Sequence, residues 1–520
     1  MIGRNDMKKN VIAAVLAVSM VVSGASVVFA EETEGKHLTA GATTGFFGAE
    51  SLNPSYNWDS WIMSIYGISE NLFRLNNNFE PQPWLCESYE NVDDLTWVLT
   101  LRDDVNFSNG NKMTADSVKK CFEYTAEQNA RFAETVSIDS MEADGQTLTI
   151  KTSKPEPTLL NDLCDPLMAV YDSESPIDEE LGASCTGPFI ATSFEAMTEV
   201  QMKKNENYWG GEPKLDTVDL KIVDDQDALN MALQNGEIDL VAQLPAAGTD
   251  LFKDDDTFVM DSVTSTRTSF LMYNLNTPAL QDVNVRNALS MAIDREGFAN
   301  TVFKGFADPS YGVYASALAY GGTDGLDLTV SQFDPDGAAA LLKEAGYEDT
   351  DGDGILDKDG ENLSLRFVTY SYNTEFLQFA DIYQAQLAEL GVDLQVETYD
   401  VLDSTMEAGD FDIAGLNYAM APTGNESYFT NMIFLPGASN NYNGYDNEKV
   451  DEIAETLSTT YDKEKRVELM KEMEQEILND GAYAFFANQK LICVYNKKVT
   501  GFEINPSEYY LITNNIDIAE

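Results

Sequence analysis

A single histidine, His37, stands in a chain of 520 residues, so catalytic triads that need an imidazole and metal sites that need several are excluded by counting. Basic residues are scarce too. Against 88 Asp and Glu there are only 32 Lys and Arg, a formal net charge of −56, which repels nucleic acid and anionic lipid and removes both as partners. The five cysteines, at positions 86, 121, 164, 185 and 493, form no CxxC pair, so neither structural zinc nor a disulfide-dense scaffold is indicated. Cys164 and Cys185, the nearest pair in sequence, are the two that an oxidising compartment could bridge. After Ala30 no stretch is apolar over the roughly 20 residues that a bilayer span needs. There is no G-x-S-x-G elbow and no phosphate-binding G-x-x-x-x-G-K-[ST] loop. What chemistry is left is a carboxylate pair of the glycosidase kind, which 88 acids always permit. The chain is expected not to be an enzyme.

What is present begins with an export signal. Lys8 and Lys9 precede the apolar run Val11–Val22, followed by small residues and Val28-Phe29-Ala30, the charged, apolar and small-residue order of a secretory leader cleaved after Ala30. Met7 heads it more cleanly than Met1. The first cysteine is Cys86, so no lipid-anchor acceptor lies at the cleavage site, and the expected location is periplasmic or extracellular. Residues 31–520 far exceed the ~250–300 residues at which one core stops growing. Two or more domains follow.

Periodicity supplies the elements. Thr96–Leu101 alternates as a strand with Trp97, Leu99 and Leu101 on one face, and Leu148 and Ile150 repeat the pattern. A short helix over Asp225–Asn235 stops at Gly236, and another starts at Asp282 or Asn284. Strand Ser364–Tyr370, a helix over Glu375–Leu390 with Leu377, Ala380, Leu387 and Leu390 on one face, and strand Val392–Thr398 make a βαβ crossover with parallel strands. A late helix from Asp462 to about Asn479 carries Val467, Met470, Met473 and Ile477, and Gly481 ends it.

Two segments suggest ligand contacts. Ser51-Leu-Asn-Pro-Ser-Tyr56-Asn-Trp58-Asp-Ser-Trp61 sets bulky rings on a turn-rich stretch, suited equally to a cleft wall and to packing at a domain edge. Asp349, Asp351 and Asp353 match the opening of a calcium loop. Its closing position holds Gly360 instead of glutamate, with Asp357 nearby. An acidic surface turn is the expectation, and no cofactor is expected.

In order along the chain stand SLNPS at 51–55, PWLCESY at 83–89, WVLTLRDDVNFSNG at 97–110 followed by MTADSVKKCF, CTGPF at 185–189, NENYWGGEPKLD at 205–216, NGEIDL at 235–240, VRNALSMAIDRE at 285–296 and EAGYEDTDGDG at 344–354. Together these stretches resemble the large solute-binding proteins of ABC importers for oligopeptides, dipeptides and nickel, solute-binding protein family 5. The resemblance implies an α/β, two-lobed periplasmic-binding-protein type II fold with an extra domain in lobe I. Lobe I would comprise 36–69, 182–265 and 489–520, the extra domain 70–181, and lobe II 266–488. A monomer would close its lobes over a solute and deliver it to the membrane permease.

The same resemblance offers ligand residues. Nickel-type members place an arginine of the second domain on the carboxylate of the metal's chelator, and aligning on Asp165-Pro166-Leu167 puts Met168 there. Peptide-type members neutralise the peptide's ammonium with an aspartate shortly before a proline, where this chain has Thr423, Asn425 and Glu426. Glu426 is the expected anchor, with Tyr56, Trp58, Trp61 and Tyr418 as walls. Short peptides are the first reading of the solute. A nickel or other metal chelate is the second, since Trp97–Gly110 looks nickel-type, and a secreted carboxylate-dependent hydrolase is a third.

Overall fold

In the computed structural model the described residues run from 35 to 519; the leader expected at 1–30 lies outside them. Two α/β halves share one mixed sheet. At one end His37–Ala42 lies parallel to Thr217–Ile222 and Leu240–Val241, continued by Glu199–Lys204 and Phe189–Glu195. At the other, Ser364–Tyr370 lies parallel to Asp393–Tyr399 and Ile413–Ala419. Between them run two long antiparallel strands, Phe258–Tyr273 and Tyr483–Asn496, whose register shifts between Thr264 and Thr268. The expected boundaries at 265/266 and 488/489 fall inside this pair.

The crossover forms as read, with the helix at Thr374–Glu389 capped by Asn373. Its buried face differs: Phe376, Phe379 and Tyr383 turn inward with Ala380 and Leu387, while Leu377 and Leu390 sit at the margin. Aromatic bulk decides the rotation, because Phe379 stacks on Phe486 with ring centroids 4.1 Å apart. Thr96–Leu101 is an inner strand of a separate four-stranded antiparallel sheet, order Cys86–Asp93, Thr96–Leu101, Thr147–Thr152, Ile138–Asp144. The helix Ala115–Gln128 packs on that sheet, its first turn closed by a reciprocal Thr114–Ser117 capping box. Among the described residues all five cysteines are buried and free, so the Cys164–Cys185 bridge does not form.

Two buried ionisable side chains tie several of the quoted stretches together. Glu70 is enclosed by them: Trp84 Nε1 and Tyr208 OH donate to Oε1 at 2.9 and 2.7 Å, and Thr186 Oγ1 and Trp209 Nε1 donate to Oε2, both at 2.9 Å. PWLCESY, CTGPF and NENYWGGEPKLD thus meet on one carboxylate. Arg295, from VRNALSMAIDRE, is fully enclosed and spends its guanidinium on the carbonyls of Ser310, Phe485, Ser290 and Ile293 and on Ser290 Oγ. Among the described residues no carboxylate pairs with it, and burial lowers its pKa to about 10.

Candidate functional site

The turn-rich segment that opens the described chain is held by short polar side chains. Asp59 accepts from Glu50 N, Ser51 N and Ser51 Oγ, and Asn53 accepts from Ser55 N and Oγ, Asx-type bonds that fix a turn. The rings then take different further neighbours, with Trp58 and Trp61 remaining 6.2 Å apart between centroids. Trp61 packs edge-on against Tyr509 at 5.2 Å, and Tyr56 faces a separate surface depression with Tyr124 and Ile177. Only Trp58 faces the cleft, with the guanidinium of Arg131 3.2 Å from its ring centroid, a cation–π contact. Asn129 holds the turn that presents Arg131 by donating Nδ2 to the Asn57 and Ser55 carbonyls at 3.0 and 3.3 Å.

That cleft encloses about 680 Å³ between residues 58 and 131–165 on one side and 423–466 on the other. Asp162 and Asp165 lie against it. Burial raises the pKa of Asp162, opposed by the Asn425 hydrogen bond and reinforced by the charges of Glu156 and Asp165. Burial raises Asp165 too, and the Arg131 charge opposes the rise. The walls touch directly: Asn161 Nδ2 donates to the Thr423 carbonyl at 2.7 Å, Asn425 Nδ2 to Asp162 Oδ1 at 2.5 Å, and Tyr461 OH to the Asp94 carbonyl at 2.6 Å. Gly424 has φ +73° and its α-carbon faces the Phe79 carbonyl closely enough to leave no space for a β-carbon.

A second chamber of about 380 Å³ opens beside the two long strands, lined by Arg267, Glu508, Gln243, Tyr370, Tyr372 and Glu375 among others. Tyr428 lines the first cleft, and burial raises the pKa of its phenol.

Several expected roles fail on contact. Met168 is fully buried in the core, in a turn capped by Asp165; the guanidinium in this part of the cleft is Arg131. Glu426 is enclosed and ion-paired with Arg466, which also donates to the Leu457 and Thr460 carbonyls, so its charge is already committed within the protein. Tyr418 packs its ring against Phe270 and Phe429. Thr423 and Asn425 do line the cleft, but each ties the walls together as described. In the acidic turn the carboxylates of Asp349, Asp351 and Asp353 lie within 4.8 Å of one another. They accept from the backbone N–H groups of Gly352, Asp353, Gly354 and Ile355. Asp357 is outside that cluster because it is spent on Thr350, accepting from its N and its Oγ1 at 2.8 Å.

Behind the 424–430 segment stands Glu474. Val313 N and Tyr314 N donate to its Oε1 at 2.6 and 3.4 Å, its Oε2 has no partner among the described residues, and burial pushes its pKa up to about 7. Tyr314 OH in turn donates to the Glu426 carbonyl and Tyr320 OH to the Gly424 carbonyl, each at 3.3 Å. The folded protein therefore holds a proton that the unfolded chain, near 4.5, has already lost. Stability falls as pH rises from 4.5 to about 7 and is level above. Glu474→Gln removes this loss, and urea titrations should show it about 2 kcal/mol more stable relative to wild type at pH 8 than at pH 5. An equal difference at both pH values would contradict the assignment.

The sequence model described as bacterial extracellular solute-binding proteins, family 5 middle, matches residues 80–441. The chain is similar to the nickel-binding protein NikA of Staphylococcus aureus, 26% identical over 447 residues, covering 86% of this chain and 88% of that protein. To the oligopeptide-binding protein AppA of Bacillus subtilis it is 24% identical over 450 residues, 81% of each. Among solved structures, the nickel ABC transporter protein from Bacillus halodurans superposes with a TM-score of 0.79 at 27% identity, over 93% of this chain and all of that one.

Proposed function

The chain belongs to the bacterial extracellular solute-binding proteins of family 5, and from that premise we propose that it is an exported capture subunit that closes its two lobes over a short peptide or an amino-acid-derived chelate and presents it to an ABC permease. The observation that carries this reading is the 680 Å³ cleft, which falls in the ~300–1,000 Å³ range of small-solute sites. Its two walls come from chain segments more than 250 positions apart that bond directly to one another. A solute touching both walls stabilises the closed arrangement by its differential affinity for it. Arg131, stacked on Trp58 and facing Asp165, is suited to a solute carboxylate, and Asp162 and Asp165 to an ammonium or a metal-bound amine. In the resemblance to nickel-type members, Arg131 takes the role that alignment gave to position 168. Peptide and chelate share this carboxylate, and the relatives named for nickel and for oligopeptides support both.

The test is to expose the protein to a defined mixture of di- and tripeptides and to Ni(II) with L-histidine, and to read retained solute by native mass spectrometry and closure by solution scattering. Wild type should retain a solute unchanged, shrink and melt higher. Arg131→Met should weaken that binding by about 2 kcal/mol, roughly 30-fold. Turnover of the solute, or an unchanged scattering profile with solute bound, would sink the reading.

A further inference from the structure

We propose that the two walls carry a clasp of their own, outside the cleft, in which Asn161 and the Phe79 carbonyl hold the turn at 423–424 and the Asp94 carbonyl holds Tyr461. The clasp sets the share of closed protein before any solute arrives, and so scales the affinity for every solute alike. It rests on the reading that the cleft captures a solute by closing.

Phe79, Asp94, Asn161, Gly424 and Tyr461 line neither chamber, so their contacts run from protein to protein and owe nothing to a bound solute. The first tie is a fit of two turns. Phe79 is buried at φ +58°, pinned there because its N donates to the Asn76 carbonyl at 3.0 Å while Asn78 N and Glu80 N donate to Asn76 Oδ1 at 2.8 and 3.0 Å. A residue with a side chain keeps that conformation only where its surroundings impose it. Gly424, at φ +73°, meets the carbonyl so aimed, closely enough that a β-carbon would collide with its oxygen. Asn161 Nδ2 spans the junction, donating to the Thr423 carbonyl at 2.7 Å and to the Phe79 carbonyl at 3.4 Å. The second tie is the bond from Tyr461 OH to the Asp94 carbonyl at 2.6 Å, in the turn that joins strands Cys86–Asp93 and Thr96–Leu101. The Asn425–Asp162 bond joins the walls too, but both groups line the cleft and are open to a solute.

One ion pair joins the two ties on their own wall. Glu426 follows the turn directly, and its partner Arg466 donates to the Leu457 and Thr460 carbonyls at 2.6 and 2.8 Å, fixing the loop that presents Tyr461. Tyr320 OH braces the same turn through the Gly424 carbonyl at 3.3 Å. The wall therefore meets its partner as a preset unit, and little ordering entropy opposes the contacts. At about 5-fold for each neutral tie, the two favour closure by ~25-fold where they act independently. A solute's apparent affinity is its intrinsic affinity scaled by the fraction of protein competent to hold it. The clasp acts on that fraction.

Spin labels on Glu90→Cys and Glu452→Cys, both exposed positions, read the separation of the walls by electron–electron resonance in solute-free protein, whose native cysteines are buried. The labelled protein should show a short separation without solute. Tyr461→Phe and Asn161→Ala should each lower the ratio of short to long separations about 5-fold, and the double variant about 25-fold. Tyr461→Phe keeps its ring and loses one oxygen, so it carries the test if Asn161→Ala folds poorly. Only the long separation in the unsubstituted clasp, or a distribution that the double variant leaves unchanged, would overturn the proposal. Native mass spectrometry with Ni(II) and L-histidine, and with the di- and tripeptide mixture, reads the consequence. Each variant should weaken every retained solute by one common factor and leave their rank order intact. A variant that weakens one solute and spares another would place these groups against solute and sink the clasp. If no probe binds wild type the capture reading fails, and the label distances still decide the clasp.

Discussion

Replacing Glu70 by leucine is expected to lower the stability of the ligand-free protein by about 4 kcal/mol, read as a fall in the urea midpoint at unchanged slope. The substitution removes one side chain but strands four donors, Thr186 Oγ1 and Tyr208 OH buried and Trp84 Nε1 and Trp209 Nε1 partly buried. The chamber beside it holds only about 30 Å³, room for one water and not for four. Each buried donor left unmade costs about 1 to 3 kcal/mol, and relief from burying the carboxylate itself returns part of the total. Glu70→Gln keeps one acceptor oxygen and turns an NH2 toward two donors, so it should fall between wild type and leucine. Solute affinity should be unchanged in folded protein, because Glu70 lines neither cleft chamber. If the leucine variant matches wild type, the carboxylate is not what joins the three stretches.

Much of the fold was legible because its signals are local. The helix Lys463–Asp480 begins at an Asp462 cap and ends at Gly481, φ +58°, as its residues indicate, and Met470, Met473 and Ile477 are buried as periodicity predicts. The same helix shows where local reading stops. Arg466 and Glu474 fall at helical spacing from Met470, Met473 and Ile477, on the buried face itself, and their charge alone would assign them to solvent; both are buried, paired by loop 310–328 and the turn at 426, whereas Val467 is only half-buried. Arg131 was missed for a related reason. Its stacking partner Trp58 is far away in sequence, and a resemblance anchored on Asp165-Pro166 points to position 168, where the Met168 side chain packs the core. The enclosing contacts are tertiary, and no spacing encodes them.

Glu426 and Arg466 give the sharpest separation between the sequence expectation and the structure. As a free anchor for a peptide ammonium, Glu426 would be needed only when solute binds, and Glu426→Gln would leave the empty protein as stable as wild type. The structure pairs it with Arg466, both side chains mostly buried at the edge of the cleft, so the expected result is a loss of about 3 kcal/mol in the ligand-free protein, the low end of the usual cost of breaking a buried pair from one side. Arg466→Met should cost about as much at neutral pH by the same reasoning. The guanidinium orphaned by Glu426→Gln keeps donating to the Leu457 and Thr460 carbonyls. The double variant should recover at least half of the summed loss, since it leaves no unpaired charge. Urea titrations of the three variants measure every term. Should Glu426→Gln prove neutral without solute, the pair is not a structural unit and the ammonium anchor returns as the better account of this residue.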